Sequence, residues 1–111
     1  MNKIQQIQEL FKTNATADKF LLKTISEYKG NSVDDFCKYI SQEITIQFHF
    51  PIQKLELFSS ITTELDELVN TYQTQDVKEL VLEMKRSLRK YSSEAIYKKP
   101  EHIQLSELVY G

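Results

Sequence analysis

Glycine and proline are scarce in this 111-residue chain, two of each; tryptophan is absent, and Cys37 is the single cysteine. So few turn formers argue against a turn-rich β architecture and for long regular elements. One thiol excludes an internal disulfide and suits a reducing compartment, so a cytoplasmic setting is expected. Long apolar runs are lacking as well. No window approaches the roughly 18 apolar residues of a membrane span, and the opening MNKIQQIQELFKTNATADKF has no signal-peptide core. Cys-x-x-Cys, HExxH and glycine-rich phosphate loops are missing. Two distant histidines, His49 and His102, with Cys37 are poor material for a zinc site, which needs three or four ligands. Neither histidine has the helix-surface context with a nearby glycine that a phosphotransfer bundle would require. The expectation is a protein that is not an enzyme and holds no cofactor or metal.

What is present is ordinary in amount and particular in arrangement. A hydrophobic fraction of 41% and a charged fraction of 27% suit one soluble domain over residues 1–111. A chain of this size buries enough surface for a core without metal or disulfide staples. The net charge of −2 hides a segregation. Residues 1–50 balance six lysines with six acids, residues 51–83 carry a net −5, and residues 84–100 a net +5.

Apolar spacing predicts helices along most of the chain. Ile4, Ile7, Leu10 and Phe11 share one helical face, and a second helix over about 17–29 turns Phe20, Leu21, Ile25 and Tyr28 inward. Gly30 is placed to end that helix in a left-handed conformation. Ser32 followed by Asp35 resembles a capping box and starts a third helix at Val33.

The stretch EITIQFHFP, residues 43–51, reads two ways. Ile44, Ile46, Phe48 and Phe50 alternate with polar residues as in a half-buried strand. Phe36, Ile40, Ile44 and Phe48 also recur every four residues from a good cap, with no breaker before Pro51. Proline disfavours helical geometry at the preceding residue, so a helix should end near His49. A lone strand would leave its backbone groups unpaired, and its one internal partner would be HIQLSELVY. The helix is therefore preferred, and a short strand pair between residues 43–50 and 102–110 stays as the alternative.

Pro51 suits the first turn of a fourth helix, along which Ile52, Leu55, Phe58, Ile61, Leu65, Leu68, Val69 and Tyr72 repeat. A break at QTQ leads to a last strong helix from Asp76, with Val77, Leu80, Val81, Met84, Leu88 and Tyr91 inward. Residues 93–111 form a less regular C-terminal tail. The expected fold is all-α, a four- to five-helix antiparallel bundle.

Two charged surfaces are candidates for function. Glu64, Asp66 and Glu67 crowd one part of the fourth helix, and Asp76, Glu79 and Glu83 fall on one face of the last. Acids leading a helix are what its dipole favours, so part of this pattern is ordinary solvated surface. Read functionally, it is an acidic patch that docks into a basic cleft such as a nuclease active site. The basic segment Lys85, Arg86, Arg89, Lys90, Lys98 and Lys99, interleaved with Tyr91 and Tyr97, could instead meet nucleic acid. A slightly acidic domain without a recognised nucleic-acid signature weighs against direct binding. Cys37 falls on or beside the core stripe, where a thiol is inert. His49 lies opposite the apolar residues and is expected on the surface. Tyr28, Tyr72, Tyr91, Tyr97 and Tyr110 lie near element ends or in the tail, where a phenol can face a partner.

IQELFKTNATADKFLLKTISEYKG resembles the opening of colicin D-type and contact-dependent growth inhibition immunity proteins. FPIQKLELFSSITTEL is similar to the third-to-fourth helix region of immunity proteins for pediocin-like bacteriocins. The resemblance implies a small helical bundle that neutralises a cognate antibacterial toxin, in the first group a nuclease blocked by acidic side chains standing where RNA phosphates would go. The residues to carry that role here are Glu64, Asp66, Glu67, Asp76, Glu79 and Glu83. The chain departs from both groups in having one more strong helix after residue 76 than a minimal four-helix pattern needs. The alternative function is a small nucleic-acid-associated or regulatory protein using residues 85–99.

Overall fold

The computed structural model describes residues 2–14 and 19–97. Five helices follow one another: α1 (Lys3–Asn14), α2 (Lys19–Glu27), α3 (Val33–Gln47), α4 (Pro51–Tyr72) and α5 (Gln75–Tyr97). Among the described residues there is no strand, and the fold is all-α.

Residues 43–47 are helix, so the strand reading of that stretch is corrected for them; its suggested partner, residues 102–110, lies outside the described residues. The reason is local. Ser32 Oγ accepts from the Asp35 N–H at 3.2 Å and starts α3 at Val33. The helix then runs unbroken to Gln47, and Pro51 holds Phe50 in extended backbone, with ψ 133°. Phe48 is already extended and half-buried, its ring set edge-on against Phe20 of α2 at 5.2 Å between centroids. α5 continues to Tyr97, so the first five residues of the segment expected to be less regular are helical.

Helix ends are satisfied by devices partly invisible to a pattern search. Asn2 and Gln5 form a reciprocal cap on α1: the Gln5 N–H donates to Asn2 Oδ1 at 2.8 Å, and the Asn2 N–H to Gln5 Oε1 at 3.0 Å. Gly30 does not supply a left-handed stop, since its φ is not positive. Instead α2 ends at Glu27, and Gln8 of α1 closes it from outside. The Gln8 amide donates to the carbonyls of Ile25 at 2.9 Å and Tyr28 at 2.8 Å, groups an α-helix leaves unpaired at its C-terminal end. Glycine at position 30 serves space, not dihedral freedom: a Cβ there would run into the Tyr28 ring. α4 does end left-handed, at Gln73 with φ 49°, and Thr74 then caps α5.

The core is one cluster in which α5 packs against both α3 and α4. α4 and α5 run antiparallel, because Lys54 early in α4 meets Ala95, and Asp66 further along meets Lys85. Phe36, Ile40, Ile44, Ile61, Leu65 and Met84 are almost wholly buried along this seam, and each such side chain contributes about 1.5–3 kcal/mol by leaving water.

One part of the expected core is corrected. Ile52 and Leu55 were expected inward, yet they are 62% and 47% exposed, while Lys54 is only 1% exposed. The inward stripe of α4 runs Lys54, Leu57, Phe58, Ile61, Glu64, Leu65, Leu68. Lysine can occupy it because its four methylenes are apolar and its ammonium reaches the carbonyl end of α5, donating to Ala95 O at 3.0 Å. Burial pushes that ammonium below the ordinary lysine range. Tyr72, also expected inward, is 36% exposed and its hydroxyl accepts from the Asn14 amide.

Candidate functional site

The acidic residues singled out from sequence separate into three kinds. Glu64 sits on the inward stripe of α4 and is 7% exposed, so it is not part of the open acidic surface. Asp66 and Glu83 are at the surface but engaged: Asp66 Oδ1 lies 2.7 Å from Lys85 Nζ, and Glu83 Oε2 lies 2.9 Å from Lys3 Nζ. Glu67, Asp76 and Glu79 are exposed and in no ion pair among the described residues. They flank the Gln73–Thr74 turn, Glu67 near the end of α4 and the other two at the start of α5. The Glu79 carboxylate accepts only a side-chain amide bond from Gln75, at 3.2 Å, within its own helix.

The basic segment also divides. Lys85 is held by Asp66, and Lys90 stands 3.5 Å from Asp34 Oδ1. Asp34 in turn accepts from the Tyr91 hydroxyl at 2.6 Å, and that bond, with the Lys90 charge beside it, holds the Asp34 carboxyl below its usual range. This cluster joins the first turn of α3 to α5 and is architecture. Arg86 and Arg89 are in no ion pair among the described residues. Arg89 edges a shallow groove between α4 and α5, floored by Phe58 and Leu88 and flanked by Lys85. Lys98 and Lys99 lie outside the described residues.

Groups that could have carried chemistry are placed elsewhere. The Cys37 thiol is wholly buried, donates to the Met84 carbonyl at 3.6 Å, and is pushed by burial up to about 12. It is an inert core side chain, as its position on the α3 stripe implies. His49 is exposed at the link between α3 and α4; His102 lies outside the described residues. No group of three or more His, Cys, Asp or Glu side chains among the described residues could hold a metal ion. No helix of the described residues is long and apolar enough to cross a membrane.

Of the tyrosines, Tyr28 packs on Phe36 and Tyr39 with centroids 5.1 and 5.5 Å away, and Tyr91 is committed to Asp34. Tyr72 stands at the end of α4, on the turn that Glu67, Asp76 and Glu79 flank. Tyr110 lies outside the described residues. The feature that sequence reasoning missed is apolar: Ile46, Phe50, Ile52 and Leu55 stand exposed around the α3–α4 corner. The signal was there in Pro51, which fixes a corner beside a run of large apolar residues. Comparison of the chain with protein-family models, with curated proteins and with solved structures finds no match in any of the three.

Proposed function

We propose that this chain acts by binding another protein, and specifically that it neutralises a cognate antibacterial toxin as an immunity protein. The observation that carries the reading is the set of exposed carboxylates Glu67, Asp76 and Glu79 on both sides of the α4–α5 turn, in no ion pair among the described residues. Asp66 and Glu83 extend the patch. Their lysine partners hold them through surface ion pairs worth about 0–1 kcal/mol, small enough for a strongly basic partner to displace. A predominantly acidic patch, here with Lys78 between Asp76 and Glu79, docks into a basic cleft with accelerated association, and a nuclease active site built to hold phosphates is such a cleft. The acidic patch would occlude it.

The test uses the product of the adjacent open reading frame as the toxin. Host cells expressing it should die without this protein and survive with it. The triple substitution Glu67→Lys, Asp76→Lys and Glu79→Lys should abolish rescue and slow association at low salt, with the helical circular dichroism unchanged. A harmless neighbour, or rescue undiminished by the triple substitution, overturns the reading. The second reading is association with nucleic acid. It rests on Arg86 and Arg89, one turn apart on α5. An electrophoretic shift with RNA or DNA at low salt, lost in the Arg86→Ala, Arg89→Ala variant, would favour it.

A further inference from the structure

The groove between α4 and α5 brings positive charge and an apolar floor to one place. It has a volume of about 150 Å³ and is lined by Phe58, Thr62, Lys85, Leu88, Arg89 and Ser92. Helical spacing assembles it from three pairs, each one turn apart. Phe58 and Thr62 lie on α4; Lys85 with Arg89 and Leu88 with Ser92 lie on α5. A space of this volume accommodates a single six-membered ring.

The polar groups of the groove are not equally available. The Thr62 and Ser92 hydroxyls already donate to the carbonyls of Phe58 and Arg89, at 3.0 and 3.4 Å. Lys85 Nζ lies 2.7 Å from Asp66 Oδ1, an engagement that uses one of the three donors of its ammonium. Arg89 is exposed, and its guanidinium is in no ion pair among the described residues. That planar fork of donors fits a carboxylate through two parallel bonds. Phe58 and Leu88 form the floor. The methylene stems of Lys85 and Arg89 give apolar walls, and a guanidinium also stacks on a ring face.

We propose that this groove is a binding site for a small aryl carboxylate. Its ring lies over Phe58 and Leu88, its carboxylate pairs with Arg89, and Lys85 is the second donor. The floor alone would admit any ring and the cations alone any anion; together they select a ring that carries an acid. Asp66 is the internal competitor, because its carboxylate stands on the same Lys85. The site is independent of the toxin reading, whose unpaired carboxylates Glu67, Asp76 and Glu79 do not line it.

The test is a titration of benzoate into the isotope-labelled full chain at pH 7 and low ionic strength, followed by amide chemical shifts. Saturable shifts are expected at Phe58, Thr62, Leu88, Arg89 and Ser92. The dissociation constant should be of order a millimolar, as suits so small a ligand on an open groove. Acetate and inorganic phosphate lack the ring and should bind at least about tenfold more weakly. Arg89→Gln should weaken benzoate binding at least about fivefold. Asp66→Asn, which leaves Lys85 to the ligand, should tighten it about two- to threefold. Lys29→Gln removes one surface cation that does not line the groove, and binding should not change. Positions 66 and 89 are exposed, so neither substitution disturbs the core. The proposal is overturned if no shift saturates by about 20 mM benzoate, or if the shifts centre elsewhere. It also fails if acetate or phosphate binds as well as benzoate, if Arg89→Gln behaves like Lys29→Gln, or if Asp66→Asn weakens binding.

Discussion

Gln8 offers the sharpest test of how this fold is held. Its amide nitrogen is the donor to two carbonyls at the end of α2, at 2.9 and 2.8 Å, in a partly buried site between α1 and α2. Gln8→Ala removes both bonds and leaves two acceptors with restricted access to water. At about 1 kcal/mol net per bond, the cost is about 2 kcal/mol. With an unfolding entropy of about 2.1 cal/mol/K per residue, that lowers the melting temperature of a chain this size by roughly 8 °C. Gln8→Glu is more severe, since a carboxylate would face two carbonyl oxygens at the negative end of the α2 dipole. A further 1 kcal/mol or so is expected at pH 7, part of it recovered near pH 4 as the introduced carboxyl protonates. Urea unfolding followed by circular dichroism measures both variants. The reasoning fails if Gln8→Ala costs less than about 0.5 kcal/mol, below the range for even one such bond, or if Gln8→Glu is no worse than Gln8→Ala at pH 7.

Other expectations follow from single side chains. Ser41 is buried in α3 and its hydroxyl has no hydrogen-bond partner among the described residues, so Ser41→Ala should stabilise by about 1 kcal/mol in the same titration; a loss of stability would mean that the hydroxyl is satisfied in solution. Cys37, with its thiol pushed up to about 12, should resist a thiol reagent at pH 8 in the native protein and react only on unfolding. Stoichiometric labelling without denaturant would contradict its burial. The Asp34 carboxyl is held below its usual 3.8, first by the Tyr91 hydroxyl and then by Lys90. The stability it brings is therefore present above pH 3.8 and lost as pH falls through its folded value. Tyr91→Phe should flatten that acid limb, and an unchanged pH profile would show that the bond carries no linkage.

The local signals that survived into three dimensions are those whose physics is local. Ser32 with Asp35 starts α3 where a capping residue must, and Pro51 both extends Phe50 and opens α4. Four-residue recurrence from Phe36 to Ile44 outweighed the two-residue alternation of Ile44, Ile46 and Phe48, because a helix satisfies its own backbone while a strand must find a neighbour. Cys37 was legible as a core residue for the same reason of spacing.

Other placements depend on what stands opposite a residue, which no window of sequence contains. Lys54 took the inward position and Ile52 and Leu55 the outward one because the end of α5 offers a carbonyl to an ammonium there. Glu64 left the acidic face for the α4 stripe, and Asp66, Glu83, Lys85 and Lys90 found partners on helices remote in the chain. Gly30 lost its expected left-handed role because Gln8, some twenty residues earlier, already closes α2. Sequence by itself determined the helices, the starts of α3 and α4 and most of the core, since caps, prolines and periodic apolar faces act within a few residues. Tertiary structure alone decided which charges remain at the surface in no ion pair and which apolar side chains remain in water, because both are settled by pairing between helices.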